Sequence, residues 1–380
     1  MKIEGEWIEA EGVQQVLHLL TDAGHQGLLV GGCVRNALLH QPVADIDIAT
    51  DAVPERVIAL AKAAGLKVVP TGIEHGTVTI VVFGEPHEVT TFRRDVETHG
   101  RHATVAFSTR VEEDAARRDF TMNALYADAG GQVVDPLGGL PDLEARRVRF
   151  VGDACARIRE DYLRILRFFR FHAWYGDPDA GMDAEALAAC ADNSAGTETL
   201  SRERIGHEMR RLLAAQDPAP SVAAMRATGV LGHVLPGADP RALAPLVHLE
   251  PPYAPDWLRR LAALGGPDPT DSLRLSRDEA RKLAVLADGV GSMSGAGELA
   301  YRHGAELGRD ILLLRAAVLE MPMPADWESA IARGAVAEFP LKAADLMPGL
   351  SGAELGARLK DLEARWVGSG FELSREQLLS

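Results

Sequence analysis

Two short motifs near the N-terminus, one with a glycine pair and one with an aspartate pair, restrict the fold of this chain more than any other feature. The first is Leu28-Leu-Val-Gly-Gly-Cys-Val-Arg35, which predicts a short strand, a glycine turn and a helix. The second begins ten residues later, Asp45-Ile-Asp-Ile48, and predicts another strand that carries two aspartates. A strand, turn and helix followed by a second strand indicate an α/β domain.

The glycine turn and the two aspartates suit a phosphate ligand and a divalent cation. Glycines at a strand–helix turn let a phosphate approach the backbone N–H groups, and Arg35 adds positive charge nearby. Alternation along a strand places Asp45 and Asp47 on one face, where oxygen ligands suit Mg²⁺. A turn required only for packing and a solvated strand face are the alternative interpretations of these two motifs.

The predicted elements change character near residue 150. Strands are predicted at 27–30, 45–48, 66–69, 77–83 and 87–92, and 93–107 is predicted to be a loop. Helices are predicted at 7–24, 156–175, 183–192, 201–215 and 221–228, with a Pro-rich connection at 236–256 and short helices beyond it. The predicted fold class is therefore α+β, with an α/β head (1–150), a helical neck (151–235) and a helical body and tail (236–380).

Arg117-Arg-Asp-Phe-Thr-Met-Asn-Ala-Leu125 forms a further motif in the head. Its apolar residues predict a buried element from which Arg118 and Asn123 emerge. Polar groups at a buried edge are costly without a partner, so this motif predicts a bound ligand. A structural salt bridge from Arg118 to a nearby carboxylate is the alternative.

The motif Glu160-Asp-Tyr-Leu-Arg164 continues through Arg167 and Arg170, and its period predicts one helix. Asp161 and Arg164 would project together, one turn apart. Cytosine and adenine both present an exocyclic amine beside an acceptor nitrogen, so a carboxylate beside a guanidinium would accept C and A and reject U and G. Arg170 lies about half a turn from Asp161 and suits phosphate better. A Glu160–Arg164 ion pair is the alternative.

Together these motifs, with Val89-Thr-Thr-Phe-Arg93 and Gly100-Arg-His-Ala103, resemble the class II CCA-adding enzymes of the tRNA nucleotidyltransferase/poly(A) polymerase family over residues 20–215. The resemblance implies a polymerase-β-like nucleotidyltransferase head in which Asp45 and Asp47 hold the catalytic metals. It implies that Gly32 and Arg35 hold the triphosphate, and it assigns nucleotide contacts to Arg118, Asn123 (the sugar), Asp161, Arg164, Arg167 and Arg170. Glu88 is the candidate for a third carboxylate, and Asp119 is its rival.

The activity implied by the resemblance is the addition of CCA to tRNA 3′ ends from CTP and ATP, with Mg²⁺ as cofactor. A poly(A) polymerase, an enzyme that adds only CC and an inactive tRNA- or nucleotide-binding regulator are the alternatives. The first is disfavoured by an acidic C-terminal region and the last by the two aspartates. One departure from the family pattern stands beside Arg35, where Asn36 replaces the usual Asp.

The charge distribution is compatible with an RNA partner despite a net charge of −15. Residues 93–170 contain 14 arginines, no lysine and 13 acidic residues. Arg202, Arg204, Arg210 and Arg211 extend this basic character and predict salt-dependent tRNA binding. Three cysteines, no signal peptide and no apolar run long enough to span a membrane predict a cytoplasmic protein. The sequence leaves the oligomeric state open.

Overall fold

The computed structural model describes residues 1–99, 102–347 and 349–380. The chain divides into two compact units: unit 1 is Met1–Ile205 with Ala227–Val234, and unit 2 is Gly206–Arg226 with Leu235–Ser380. Unit 1 contains the β-strands, and unit 2 is helical. The α+β fold class is therefore confirmed, whereas the three predicted domains are a finer division and stay a prediction. Among the described residues, no helix has the length and apolar character needed to cross a membrane.

The sheet of unit 1 contains seven strands in the order β3-β4-β5-β2-β1-β8-β9. Their bounds are β1 (Gly27–Val30), β2 (Asp47–Thr50), β3 (Lys67–Gly72), β4 (Thr77–Val82), β5 (Glu85–Thr91), β8 (Tyr126–Ala127) and β9 (Val133–Val134). Strands β2 and β5 are parallel, and the other neighbours are antiparallel. Strand β2 therefore lies centrally, between β1 and β5.

The segment predicted to be a loop at 93–107 is a β-hairpin, so that prediction is wrong. Strands β6 (Arg93–His99) and β7 (His102–Phe107) pair from Arg93 opposite Phe107 to His99 opposite His102. The segment has few apolar residues, and the periodicity that identifies a strand was therefore lacking, whereas backbone pairing does not require it. Gly100 and Arg101 lie outside the described residues.

The helices of unit 1 agree in outline with the sequence, with one important exception. They are α1 (Glu6–Glu9), α2 (Glu11–Thr21), α3 (Gly32–Leu38), α4 (Pro54–Ala63), α5 (Val111–Ala116), α6 (Leu140–Glu144), α7 (Ala154–Glu160), α8 (Leu163–Tyr175), α9 (Ala184–Asp192) and α12 (Val230–Val234). The continuous helix predicted at 156–175 is wrong, because the chain breaks between α7 and α8. The backbone of Asp161 is extended there, with φ −154° and ψ 105°.

Packed phenylalanines hold α8 against the head. The Phe120 ring lies 5.0 Å from that of Phe150 and 4.9 Å from that of Phe171, between centroids, and Phe150 stacks on Phe168 at 5.8 Å. Burial of aromatic side chains is a large source of stability. This contact brings the arginines of α8 to the motif at residues 117–125.

Helix α10 (Arg202–Leu213) runs across the boundary between the two units. The remaining helices are α11 (Ala219–Ala227), α13 (Leu243–Leu249), α14 (Trp257–Leu264), α15 (Arg277–Gly291), α16 (Ala296–His303), α17 (Ala305–Val318), α18 (Trp327–Ala335), α19 (Gly352–Gly368) and α20 (Arg375–Leu379). The connection predicted at 236–256 contains α13, which corrects that prediction. Pro245 lies in the first turn of α13, where a missing N–H is tolerated.

Unit 2 contains a buried ion-pair cluster in which residues of α14 bind the end of α13 and a residue of α17. Arg259 and Arg260 both bind Glu250, at 2.8 and 2.7 Å, and Arg259 also binds Asp310 at 2.8 Å. Arg260 Nη1 donates to the carbonyls of Leu213 and Ala215, at the end of α10. The carbonyl groups at this helix end are thus satisfied by a charged side chain.

Candidate active site

The turn between β1 and α3 contains a glycine with positive φ and lies beside two guanidinium groups. Gly31 has φ +72°, a conformation that side chains rarely adopt. A Cβ at Gly31 would lie 3.3 Å from Arg118 Nη1, and one at Gly32 would lie 3.8 Å from Arg35 Nη2. The backbone of this turn therefore faces two positive charges, an arrangement suited to a phosphate chain.

The Arg35 guanidinium is buried and fixed by neutral groups. Asn36 Oδ1 accepts from Arg35 Nε and Nη2 at 3.1 and 2.8 Å, and Asn123 Oδ1 accepts from Nη1 at 2.6 Å. Tyr175 Oη accepts from Nη2 at 2.8 Å, and the Tyr175 ring centroid lies 3.9 Å from the guanidinium carbon. Burial lowers the pKa of Arg35. The predicted phosphate-binding arginine is thus rigidly oriented before any ligand arrives.

Glu88 joins the two predicted metal-binding aspartates. Asp47 is the first residue of β2, and the parallel register places Glu88 of β5 directly opposite it. Asp45 precedes the strand, so the expectation that alternation along one strand aligns both aspartates is wrong. Desolvation raises the pKa of Asp47, Glu88 and Asp45 raise it further, and Arg118 lowers it. A bound cation would relieve the repulsion of Asp47 by these two carboxylates.

The rival third carboxylate, Asp119, is fully engaged elsewhere. Its Oδ2 accepts from Arg167 Nε and Nη2 at 2.8 and 2.5 Å, and its Oδ1 accepts from Asn123 Nδ2 and the Phe120 N–H, both at 2.9 Å. Burial alone would raise the pKa of Asp119, but Arg167 and Asn123 lower it below its usual range. Asp119 therefore links Arg167 to Asn123, which in turn holds Arg35.

Arg118 forms the salt bridge to a nearby carboxylate that was the alternative interpretation, and its partner is Asp114. Asp114 Oδ2 accepts from Arg118 Nη2 at 3.0 Å and from Tyr126 Oη at 2.8 Å, and its Oδ1 accepts from Arg117 at 2.7 Å. Burial alone would raise the pKa of Asp114, but Arg118 and Arg117 lower it to about 2. The spacing of Asp114 from Arg117 and Arg118, three and four residues on one helical face, is a signal that predicts these pairs.

Asp161 and Arg164 have separate partners in the structure. Asp161 Oδ1 accepts from the Leu163 N–H at 3.1 Å, which caps the start of α8, and its Oδ2 accepts from Arg204 at 2.6 Å. Arg164 Nη1 donates to Glu160 Oε2 at 2.5 Å, the alternative ion pair considered above. Asp161 and Arg204 line a cavity of about 310 Å³ that also includes Arg159 and Tyr162. The two predicted base-reading residues lie at a helix start, not along one helix.

Arg167 and Arg170 join Arg35 around one aromatic ring. The guanidinium carbon of Arg170 lies 4.6 Å from the Phe171 ring centroid, and those of Arg35 and Arg167 each lie 5.2 Å from it. Cations over an aromatic face are attracted by its quadrupole. Phe171 and Tyr175 are functional candidates that sequence reasoning missed, although Arg167, Phe171 and Tyr175 recur at intervals of four on α8, a spacing that places them on one face.

A second acidic group lies in unit 2, far along the chain from the aspartate motif. One oxygen of each of Asp256, Glu306 and Asp310 lies within 4.8 Å of the others. Lys282 Nζ lies 2.8 Å from Asp256 Oδ2 and 3.7 Å from Glu306 Oε1. The lysine ammonium already supplies the cation at this group, so it is a structural cluster rather than the predicted metal site.

Comparison with known families agrees with this geometry. Residues 28–149 match the Poly A polymerase head domain, and residues 181–241 match the "Probable RNA and SrmB- binding site of polymerase A". The fold and the site thus define a nucleotidyltransferase head followed by a mostly helical remainder. These two segments of the chain are therefore similar to the poly(A) polymerase family.

The individual proteins similar to this chain include CCA-adding enzymes. Human mitochondrial CCA tRNA nucleotidyltransferase 1 is 41% identical over 204 residues, which are 53% of this chain and 47% of that protein. The Geobacillus thermodenitrificans CCA-adding enzyme is 39% identical over 254 residues, 66% of this chain and 58% of that protein. The chain therefore matches about half the length of these curated relatives. The crystal structure of the Bacillus stearothermophilus CCA-adding enzyme in complex with CTP is 26% identical, with a TM-score of 0.73, over 94% of this chain and 93% of that one.

Proposed function

We propose that this protein adds the nucleotides C, C and A to the 3′ end of tRNA, using CTP and ATP and releasing pyrophosphate. The observation that carries the proposal is the pairing of Asp47 with Glu88 at a strand end, in the same unit as the arginines Arg35, Arg118, Arg167 and Arg170. Carboxylates and guanidinium groups are the components of a nucleotidyl-transfer site. The similarity to CCA-adding enzymes supports tRNA, CTP and ATP as the substrates.

Mg²⁺ is the proposed cofactor, held by Asp45, Asp47 and Glu88. Desolvation raises the pKa of Asp47 and the two neighbouring carboxylates raise it further, which supports a hard divalent cation at this position. When bound, Mg²⁺ would stabilise negative charge that develops on the phosphate oxygens. Asp119 is the weaker candidate for a metal ligand, because its two oxygens already bind Arg167 and Asn123.

In the proposed reaction, the tRNA 3′-hydroxyl oxygen forms a bond to the α-phosphorus. The bond from that phosphorus to the bridging oxygen breaks, pyrophosphate leaves, and the hydroxyl proton is lost. Gly32 and Arg35 would hold the triphosphate, with Arg118, Arg167 and Arg170 around it, and Asn123 would contact the sugar as well as Arg35. Positioning and charge stabilisation by these groups would supply most of the rate.

The proposed selection of C and A depends on Asp161 and Arg164. The carboxylate of Asp161 would accept from the exocyclic amine that both bases share, and Arg164 would donate to the ring nitrogen beside it. In the structure these groups bind Arg204 and Glu160, respectively. Base binding would therefore replace two existing ion pairs.

The decisive experiment incubates the protein with tRNA that ends at the discriminator base, with Mg²⁺ and with CTP, ATP or both, and then sequences the 3′ ends. The proposal predicts CC with CTP alone and CCA with both nucleotides. A long run of A would instead identify a poly(A) polymerase, CC with both nucleotides would identify a partial enzyme, and no addition would identify a binding protein.

The three cysteines are free thiols, which supports the proposed cytoplasmic location.

A further inference from the structure

Every hydrogen-bond acceptor that the structure gives Arg35 is a neutral oxygen. These acceptors belong to Asn36, Asn123 and Tyr175. Two other arginines of the site differ, since Arg118 binds Asp114 and Arg167 binds Asp119. Arg35 is only 6% exposed. Burial lowers the pKa of Arg35 and Asp119 is close enough to raise it, but among the described residues no carboxylate lies at hydrogen-bond distance from this guanidinium. A bound anion would therefore be its first direct ionic partner.

The side chain of Asn36 is oriented so that its oxygen faces Arg35. Asn36 Nδ2 donates to the Pro42 carbonyl at 2.9 Å, which fixes the direction of the amide. Its Oδ1 then accepts two hydrogen bonds from Arg35. An aspartate here would oppose a carboxylate oxygen to the Pro42 carbonyl and would neutralise Arg35. The amide therefore aligns the guanidinium without placing a negative charge at hydrogen-bond distance from it.

We propose that Asn36 is a positioning residue that holds Arg35 without neutralising it, so that Arg35 binds the triphosphate of the incoming nucleotide more strongly than it would beside an aspartate. This assignment rests on the proposed function, since the triphosphate belongs to CTP or ATP. Because the contact is to phosphate and not to the base, the effect of Asn36 is the same for CTP and ATP.

Two substitutions at Asn36 separate charge from position. Asn36→Asp keeps an acceptor but adds a negative charge, and it should raise KM for CTP and for ATP by about tenfold, the value of one charge-assisted contact. Asn36→Ala removes the acceptor but leaves Arg35 charged and held by Asn123 and Tyr175, so KM should rise only about twofold to threefold. A purely structural role gives the reverse order, because the aspartate is nearly isosteric with Asn and alanine is not.

The measurement is the KM and kcat for both nucleotides over a series of salt concentrations, with competition by inorganic tripolyphosphate as a probe that has no base. Asn36→Asp should make the salt dependence of KM shallower and weaken tripolyphosphate inhibition by the same factor, while Asn36→Ala should keep the wild-type salt dependence. His40→Asp is the matched control: His40 is exposed, follows the same helix and has φ +54°, which Asp tolerates. It adds the same charge at an exposed residue outside the hydrogen bonds of Arg35 and should leave KM within about twofold.

The possible failures are distinguishable. If the wild-type protein adds no nucleotide, the proposed function fails first. If the wild type is active and Asn36→Asp matches it, or is less impaired than Asn36→Ala, the role of Asn36 is overturned. Thermal unfolding of both variants checks the fold, and if Asn36→Asp does not fold, a rise in KM above tenfold in Asn36→Ala also overturns the proposal.

Discussion

The carboxylate of Asp161 binds Arg204, with 2.6 Å between Oδ2 and Nη2, while Arg164 binds Glu160. These contacts stabilise the junction of α7 and α8, and they also compete with any base that Asp161 and Arg164 read. If these two side chains read the base as proposed, the nucleobase must offer hydrogen bonds good enough to replace the ion pairs. Cytosine and adenine satisfy both side chains, whereas a base with the reversed donor and acceptor pattern satisfies neither.

Removal of the Asp161 carboxylate should change which nucleotide is incorporated. In Asp161→Ala, discrimination against UTP and GTP should weaken by about 1–3 kcal/mol, the value of one good base contact. The measurement is kcat/KM for all four triphosphates. Glu160→Gln is the control, because it weakens the partner of Arg164 without touching the Asp161 carboxylate, and it should reduce stability with unchanged nucleotide preference. Wild-type discrimination in Asp161→Ala would contradict base reading by this residue.

Asp47→Asn should separate activity from stability. The amide removes a charge that Glu88 and Asp45 repel, and the pKa of Asp47 is already raised in the folded protein. Without divalent metal, the melting temperature should therefore be unchanged or higher than that of the wild type. Nucleotide addition should fall by about 10²-fold or more, as expected when several kcal/mol of charge stabilisation is lost. Full activity at saturating Mg²⁺ would disprove the metal assignment.

Glu88 and Asp119 should respond in opposite ways to neutralisation. Glu88→Gln should lose activity and keep its stability, because Glu88 is exposed at the strand end opposite Asp47. Asp119→Asn should lose up to about 3 kcal/mol of unfolding free energy, because Arg167 loses a buried partner. Denaturant unfolding and CCA addition measure the two effects. Glu85→Gln, on the same strand and also exposed, is the control for Glu88→Gln, and equal losses of activity in these two variants would rule out a special role for Glu88.

Local patterns were sufficient to predict the elements around the glycine turn, but not the pairing of the carboxylates. Strand β1 and the turn at Gly31 depend on residues close in sequence, and both are found where expected. The opposition of Asp47 and Glu88 depends on register between strands 41 residues apart, set by how β2 and β5 pack. Period 2 predicts faces within one strand, not the partner across the sheet.

The contacts that fix Arg35 were similarly beyond local reasoning. Tyr175 is 140 residues away from Arg35 in sequence, and only the packing of α8 on the head brings it near. The break at Asp161 was missed because apolar residues on both sides keep a helical period, whereas the Asp161 side chain caps the second helix and ends the first.

Asp114 should make the free energy of unfolding depend more steeply on pH in acid. Its folded pKa of about 2 lies below the unfolded value, so its stabilising effect is complete above about pH 4 and is lost as the pH falls towards 2. The difference corresponds to about 2 kcal/mol for this buried group. Chemical denaturation at pH 5, 4, 3 and 2 should show that Asp114→Asn, although less stable at pH 5, loses about 2 kcal/mol less than the wild type over this range. Equal losses of unfolding free energy in the two proteins would show that the arginine partners do not lower the pKa of Asp114 in the folded state.

Arg202 should contribute to the salt dependence of tRNA binding. It is exposed at the start of α10, whereas Arg204 binds Asp161 and Arg210 binds Glu279 at 3.1 Å. Each phosphate contact by a basic side chain contributes about 0.7–0.9 to the slope of log affinity against log salt. Arg202→Ala should therefore reduce this slope by nearly one and weaken binding at low salt more than at high salt. Arg281→Ala is the control, since Arg281 is also exposed, at 77%, but its guanidinium pairs with Asp278. Affinity for tRNA measured between low and moderate salt decides the question, and an unchanged slope in Arg202→Ala would place the phosphate contacts elsewhere.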